Sequence, residues 1–240
     1  MGAWPSVGTS NWADRESWIK HALERIPAGV RLLDAGAGEL RYRPFCDHLD
    51  YVAQDFGGYD GSGDGKGSQT GTWDQTKLDL VCDIVDVPEP NASFGAVLCI
   101  EVLEHLPEPV AALREFARLL QTGGILVLTA PFCSMTHLSP YHFHTGFSRY
   151  FYEKWLPEIG FKIDEITFNG NLFEFVAQDL QQLPMMAEKY SKAKTRSWLQ
   201  TRLQEHSRRV MLKWLQELSS HDSGSNEMLA FGVHIRASKQ

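Results

Sequence analysis

The chain has 240 residues, a hydrophobic content of 43% and a formal net charge of −7. This size allows a substantial core, whereas the acidic balance argues against general nucleic-acid binding, which needs a basic surface. No apolar run approaches the length of a membrane span, no secretory signal is visible, and the four cysteines are widely spaced. We therefore expect a cytoplasmic protein with free thiols.

Residues 11–26 place most of their apolar side chains on one helical face, and Pro27 ends the run. This pattern predicts an N-terminal helical cap over residues 1–27. Such a helix can cover a ligand or simply pack against the core, and the sequence leaves both interpretations open.

The next segment is the most informative one. An apolar run over residues 31–34 ends in Asp34, and Gly36 and Gly38 follow it. This order predicts a buried parallel strand, a tight turn and the start of a helix. A second apolar run ends in Asp55. An acid at this spacing after a glycine turn can accept hydrogen bonds from a ribose diol.

These segments resemble the class I S-adenosylmethionine (SAM) dependent methyltransferases, in particular their small-molecule, type 11-like branch. Residues 32–38 fit the family's first motif, an apolar strand, an acid and Gly-x-Gly-x-Gly, with Leu40 in place of the third glycine. The pair Asp83-Ile84 resembles the family's adenine-holding pair. Residues 93–106 resemble its fourth strand and the following helix.

Strand candidates alternate with helical patterns, which predicts a doubly wound parallel sheet. The candidates cover residues 31–34, 51–55, 78–82, 96–100, 124–129, 162–168 and 228–235. The resemblance implies an α/β fold with a Rossmann-like, mostly parallel seven-stranded sheet, an antiparallel last strand and a helical insertion. The helix before the fifth strand is expected to end at Gly123 and Gly124.

The predicted organisation is a single domain with four segments. They are the helical cap at 1–27, a SAM-binding core at 28–172, a helical insertion at 173–222 and the last core strand at 223–240. The resemblance also implies SAM as the cofactor. It assigns cofactor binding to Asp34, Gly36, Gly38, Asp55, Phe56, Asp83, Ile84, Ile100 and Glu101.

Residues 57–72 carry seven glycines and are expected to form a mobile loop. The loop lacks the Lys-Ser/Thr ending of a phosphate-binding P-loop. Its position after Asp55 suggests a flap beside the cofactor, and a passive excursion of the chain is the alternative.

Three histidines fall within residues 131–144, after the fifth strand. In the resembling methyltransferases this segment lines the acceptor pocket, and His142 stands where they carry an aspartate. Histidine titrates near neutrality and suits a general base, so His142 and His144 are the catalytic candidates. The resemblance suggests substrate contacts for Tyr141 and for His105, which could instead only support its turn.

No metal is assigned, although a site formed by His137, His142 and His144 stays an alternative, because three ligands suffice for a catalytic metal. The expected reaction is methyl transfer to a small-molecule hydroxyl on a sugar, lipid head group or secondary metabolite. An amine or carboxylate acceptor and a non-catalytic methyltransferase-like partner protein remain alternatives. A nicotinamide-dependent oxidoreductase is disfavoured, because the glycine spacing is not Gly-x-Gly-x-x-Gly.

The chain becomes locally basic within the insertion. Between Met186 and Trp214 lie eight lysines and arginines against two glutamates, a net charge of +6 that leaves −13 for the rest. A solvated helix face is the ordinary interpretation. Peripheral membrane contact through residues 189–213 is the alternative, and a homodimer is a further possibility for the insertion.

Overall fold

A computed structural model describes residues 3–192 and 197–240. The strands are β1 (Arg31–Ala35), β2 (Asp50–Asp55), β3 (Leu80–Val81), β4 (Phe94–Ile100), β5 (Leu120–Pro131), β6 (Phe161–Asn169) and β7 (Gly232–Lys239). The α-helices are α1 (Asn11–Glu24), α2 (Pro109–Leu119), α3 (Arg149–Ile159), α4 (Leu172–Tyr190) and α5 (Trp198–Ser220).

The seven strands form one sheet in the order β3-β2-β1-β4-β5-β7-β6. Strand β1 pairs in parallel with β2 on one side and with β4 on the other, whereas β7 runs antiparallel to β5. This arrangement confirms the predicted mostly parallel seven-stranded sheet with an antiparallel last strand. The strand order reverses between β1 and β4, and open α/β sheets bind ligands at the carboxyl ends of the strands beside such a reversal.

The central strands are buried on both faces, which explains their continuous apolar sequences. In β1 and β4, Leu32, Leu33, Val97 and Leu98 are fully buried. Helix α1 contributes Ile19 and Leu23 to the same core cluster as Leu32 and Leu98. Helix α2 buries Leu113 and Phe116 from its apolar stripe.

The chain divides into two compact units, which consist of Arg15–Thr167 with Gly232–Gln240 and of Met1–Asp14 with Phe168–Phe231. The first unit carries β1–β5, β7 and most of β6. The second contains α4 and α5, which lie between β6 and β7 in the sequence and share a small core of Val7, Ala177, Leu212 and Leu215. Among the described residues, no helix has both the length and the apolar character needed to cross a membrane.

Three predicted boundaries were wrong. Helix α2 ends at Leu119 rather than at Gly123-Gly124, because Leu120 already pairs with Phe94 in the sheet ahead of a bulge. Strand β3 has only two residues. The last strand begins at Gly232 rather than Met228, because residues 225–227 form a 3₁₀ turn.

Candidate active site

The turn after β1 requires glycine at two positions. Gly36 has φ +81°, and a Cβ there would lie 2.5 Å from Val102 Cγ2. Gly38 has φ +52° and packs against the Trp73 ring. Leu40, in place of the motif's third glycine, keeps a left-handed φ of +58°, a conformation that costs a non-glycine residue of the order of 1 kcal/mol. The backbone of the motif is therefore kept although its third residue differs.

Asp55 ends β2 beside this turn and is buried. One carboxylate oxygen accepts a hydrogen bond from the Gly38 amide at 3.1 Å, and the other accepts from the Gly57 amide at 3.0 Å. The side-chain amide of Gln75 donates a third bond at 3.3 Å. A carboxylate has about four acceptor sites, so Asp55 retains capacity for a ligand hydroxyl while its orientation is fixed.

Asp34 is also buried, but it does not line the cavity described below. It accepts a short hydrogen bond from the Tyr51 hydroxyl. Burial raises the pKa of Asp34 to about 7; the hydrogen bond from Tyr51 opposes this rise, and the charge of Asp55 adds to it. The carboxyl group of this motif acid therefore lies on the interior side of the glycine turn.

A cavity of about 350 Å³ opens at the carboxyl edge of the sheet. This volume is within the usual range of small-molecule sites. It is lined by Gly36, Gln54, Asp55, Phe56, Tyr59, Trp73, Asp83, Ile84, Glu101, Val102, His105, Leu106, Pro107, Leu138, Tyr141 and Phe143. The described lining contains three carboxylates and no lysine or arginine.

The cavity brings together most of the residues assigned from the sequence. Six of the assigned cofactor residues line it, namely Gly36, Asp55, Phe56, Asp83, Ile84 and Glu101, as do the two substrate candidates His105 and Tyr141. Asp34, Gly38 and Ile100 lie outside the lining. So do both catalytic candidates, His142 and His144.

Glu101 follows β4 with a left-handed φ of +54°. Its carboxylate forms an ion pair with Arg15 at 2.9 Å and accepts a hydrogen bond from the Thr129 hydroxyl at 2.8 Å. A strained backbone that is held by two side-chain contacts is typical of functional positions. The arrangement presents one carboxylate to the cavity at the end of β4.

Sequence reasoning missed several aromatic residues of the cavity wall. Tyr59 and Trp73 flank the glycine-rich loop, and their rings contact each other edge to face at 4.9 Å. Phe56 and Tyr141, which the sequence did assign, pack against each other in the same manner. Aromatic residues at both ends of a glycine-rich loop are a signal that could have placed this loop beside a ligand.

The glycine-rich loop is bonded to the histidine-containing segment. Ser68 forms a parallel bridge with His137, and the Ser139 hydroxyl donates to Asp64 at 2.6 Å. Ser139 Oγ also lies 2.7 Å from the Lys66 carbonyl oxygen and accepts from the Gln69 side chain. The loop therefore has specific partners in the segment that carries the acceptor candidates.

Three histidines lie together beside the cavity, and we call His105, His137 and His142 the histidine cluster; of these, only His105 lines the cavity. Their rings are 4.7 Å (His105 to His137), 4.8 Å (His137 to His142) and 6.0 Å (His105 to His142) apart. The predicted candidate His144 instead packs against Phe147. The structure thus groups His105, rather than His144, with His137 and His142.

Titratable groups in and beside the cluster have pKa values that differ from their ordinary ones. Burial, the neighbouring His137 and, to a smaller extent, His142 lower the pKa of His105 to about 4, against the opposing effect of the Tyr141 carbonyl. Burial, followed by the charges of His137 and His144, lowers the pKa of His142. Burial and the charge of Glu101 raise the pKa of Glu104. At neutral pH the imidazoles of His105 and His142 are therefore neutral.

Comparison with known proteins agrees with this geometry. A family model described as a methyltransferase domain matches residues 12–219, most of the chain. A SAM-dependent methyltransferase from Archaeoglobus fulgidus is 17% identical, with a TM-score of 0.53 over 93% of this chain and 94% of that chain. Phosphoethanolamine N-methyltransferase 2 of Haemonchus contortus, solved with SAM, has a TM-score of 0.53 at 16% identity, over 95% of this chain and 52% of that chain.

A curated relative matches over a short segment only. The ubiquinone biosynthesis O-methyltransferase of Xanthomonas oryzae pv. oryzae is 54% identical over 41 residues, which are 17% of this chain and 17% of that protein. Because the solved structures are of low identity, they show a shared fold alone. The family match, in contrast, covers well over half of the sequence. The chain therefore belongs to the methyltransferase-domain family.

Proposed function

We propose that the protein is an enzyme that transfers the methyl group of SAM to a hydroxyl group of a small molecule that enters the cavity. The observation that carries this proposal is the histidine cluster beside a cavity lined by carboxylates, with His105 in the cavity wall. A hydroxyl acceptor must lose its proton, and a neutral histidine is suited to receive or direct that proton.

The charges of the lining support a role in SAM binding for the residues assigned from the sequence. SAM carries a sulfonium and an ammonium group, and the described lining offers Asp55, Asp83 and Glu101 without a basic side chain. In this proposal Asp55 binds the ribose hydroxyls, Asp83 with Ile84 holds the adenine, and Glu101 faces the methionine end. A pyrophosphate-containing dinucleotide would meet only negative groups there.

The acceptor is proposed to bind beside His105, Leu138 and Tyr141, which also line the cavity. The His142 ring lies 6.0 Å from that of His105. Of the two catalytic candidates, His142 is the one that this geometry favours. The aromatic side chains Tyr141 and Phe143 suit a flat or partly apolar acceptor.

The test is a transfer assay with SAM labelled on its methyl group. Panels of phenols and catechols, sugars, amines and carboxylic acids are offered in parallel, and the labelled product is characterised by its chemical stability. Label on an oxygen in an ether linkage supports the proposal. Label that enters amines or base-labile esters, or no transfer to any hydroxyl compound, overturns it.

We also propose peripheral contact of the insertion with an anionic membrane surface. Helix α5 combines basic residues with six exposed apolar side chains, Trp198, Leu199, Leu203, Val210, Met211 and Trp214. Lys194 and Arg196, which contribute to the basic stretch, lie outside the described residues. A homodimer through the same face is the competing arrangement, and a cytoplasmic location stays a prediction.

A further inference from the structure

We propose that His105, His137 and His142, with the carboxylate of Glu104 beside them, form a binding site for one divalent transition-metal ion of the zinc type. The three histidines each offer a ring nitrogen, and these nitrogens all lie within 4.8 Å of one another. Imidazole ligands suit zinc, iron, cobalt and nickel ions, and three protein ligands leave a position open for a further molecule.

Two of the imidazoles are held with the correct nitrogen free. His105 Nδ1 lies 2.5 Å from the Tyr141 carbonyl oxygen, and His137 Nδ1 lies 2.9 Å from that of Met135. A carbonyl accepts only from a protonated nitrogen, so each ring exposes the lone pair of its Nε2. Metal-binding histidines characteristically donate their second nitrogen to a carbonyl or carboxylate in this manner.

The interior side of the cluster contains an uncompensated acid. Glu104 is fully buried, and neither of its carboxylate oxygens has a hydrogen-bond partner on another residue. Its Oε1 lies 3.7 Å from His105 Nε2 and 3.9 Å from His137 Nε2. Ligands about 2.0–2.1 Å from a tetrahedral zinc ion would lie about 3.4 Å apart. The Glu104 carboxylate thus lies slightly beyond coordination distance, where it balances the charge of an ion held by the histidines and leaves the fourth ligand position open.

The number of unpartnered atoms is unusual for a protein interior. His105 Nε2, both ring nitrogens of His142 and both oxygens of Glu104 are buried without a hydrogen bond to another residue. Buried polar atoms in native structures almost always have a partner, and a group of five around one point requires an explanation. One cation would satisfy a lone pair on each histidine and compensate the charge of Glu104.

The chain holds the cluster together by backbone contacts. The Glu104 carbonyl oxygen accepts hydrogen bonds from the amides of Phe143 at 3.0 Å and His144 at 3.1 Å. These bonds fix the segment with His142 against the turn with His105, while the Ser68 bridge fixes His137. The ligands thus come from two elements that are fixed before any ion arrives.

The position of the cluster gives the ion a role that rests on the proposed function. His105 lines the cavity, so an acceptor hydroxyl can occupy the open coordination position. In this arrangement the histidines act as ligands in place of a histidine base: coordination lowers the pKa of the hydroxyl, and its proton passes to solvent water. The resulting oxyanion attacks the methyl carbon of SAM; a C–O bond forms as the C–S bond breaks, which yields a methyl ether and S-adenosylhomocysteine.

The site is tested with cobalt as the probe. Chelator-treated protein is titrated with Co²⁺, whose visible absorption reports nitrogen coordination, and Zn²⁺ is then added as competitor. We expect one Co²⁺ per chain and its displacement by Zn²⁺. His137→Gln and His142→Gln should abolish the absorption band. Glu104→Gln should weaken binding by about 10- to 100-fold, as loss of an adjacent carboxylate does at other metal sites.

Two histidine variants serve as matched controls. His144→Gln alters the same segment outside the cluster, and His21→Gln alters an exposed histidine of α1, so both should keep the band. Circular dichroism and melting of every variant establish that it is folded. Folded His137→Gln and His142→Gln variants that bind Co²⁺ like the unaltered chain, or an unaltered chain without a band, would refute the site.

The metal proposal and the proposed function fail separately. Full transfer of labelled methyl to a hydroxyl acceptor by metal-free protein would overturn the catalytic role of the ion and leave the methylation proposal intact. A clean one-to-one Co²⁺ site in a protein that labels only amines would support the metal site and overturn the hydroxyl acceptor.

Discussion

Asp34 is a buried carboxyl group whose cost to the fold depends on pH. Its pKa in the folded protein is about 7 against 3.8 as the ordinary value, so the folded state retains a proton that the unfolded state loses. Its contribution to stability is therefore lost as pH rises from about 4 to about 7. Retention of this acid at a cofactor motif, at a cost in stability, is typical of functional sites.

Asp34→Asn should remove this cost, because the amide oxygen still accepts the hydrogen bond from Tyr51. We expect the ligand-free variant to gain roughly 2–4 kcal/mol in free energy of unfolding at pH 8 and much less at pH 4.5. Urea denaturation at both pH values measures the difference, with the exposed Asp47→Asn as the control. A gain that does not depend on pH would contradict the assignment.

Asp55 is the residue on which SAM affinity should depend most. Two hydrogen bonds from a ribose diol to a carboxylate contribute about 1.5–3 kcal/mol each, although part of this is recovered by water in the variant. We expect Asp55→Ala to weaken SAM binding by at least about 10-fold in calorimetry. Asp47→Ala, at an exposed site, should leave affinity unaltered, and equal affinities of both variants would remove Asp55 from the ribose site.

At the scale of elements, the glycine-rich loop and the histidine-containing segment form one bonded pair. The loop supplies Tyr59 and Trp73 to the cavity wall at its two ends, while the segment supplies Leu138 and Tyr141. The buried Ser139 hydroxyl is the main side-chain link between the two. This pairing gives the loop a physical route by which it can respond to a ligand.

Ser139→Ala removes one donated hydrogen bond, shared between Asp64 and the Lys66 carbonyl, and one accepted from Gln69, which contribute about 1 kcal/mol each. We expect amide hydrogen exchange in residues 62–69 to accelerate by roughly 5- to 30-fold in the ligand-free protein. SAM should slow this exchange if the loop closes over the cofactor. Ser134→Ala is the control, because Ser134 belongs to the same segment but is bonded to Thr145. Equal exchange rates in the two variants would indicate that the loop is a passive excursion of the chain.

At the scale of the whole molecule, charge is unevenly distributed. The net charge of −7 combines +6 within residues 186–214 with −13 elsewhere. Helix α5 adds exposed apolar side chains to this basic region, with Trp214 54% exposed. Basic and apolar groups on one helix are typical of contact with anionic lipid surfaces, to which each lysine or arginine contributes about 1 kcal/mol.

We expect the protein to sediment with vesicles of phosphatidylglycerol but not with vesicles of phosphatidylcholine, and salt should weaken the association. The double variant Met211→Ser, Trp214→Ser should lose binding. Met228→Ser, which removes a still more exposed apolar side chain outside α5, should retain binding. A dimer in sedimentation analysis that the double variant dissociates, without vesicle binding, would instead assign this face to a second copy.

The sequence by itself determined the fold class and predicted the edge of the sheet at which the cavity opens. Apolar runs that end in Asp34 and Asp55 specify parallel strands, and parallel strands bring their carboxyl ends to one edge. The left-handed glycines at positions 36 and 38 are local requirements that the motif already expresses. These features depend on neighbours in the sequence, so they could be predicted.

Only the tertiary structure decided which histidines lie together beside the cavity and which apolar side chains of α5 are exposed. Residues 132–144 form neither a helix nor a strand, so no periodicity indicates the direction of their side chains. Contact between His137 and the distant His105, and the exclusion of His144, result from hydrogen bonds to the Glu104 carbonyl and the glycine-rich loop. Such contacts join segments far apart in the chain, and the order of residues does not encode them locally.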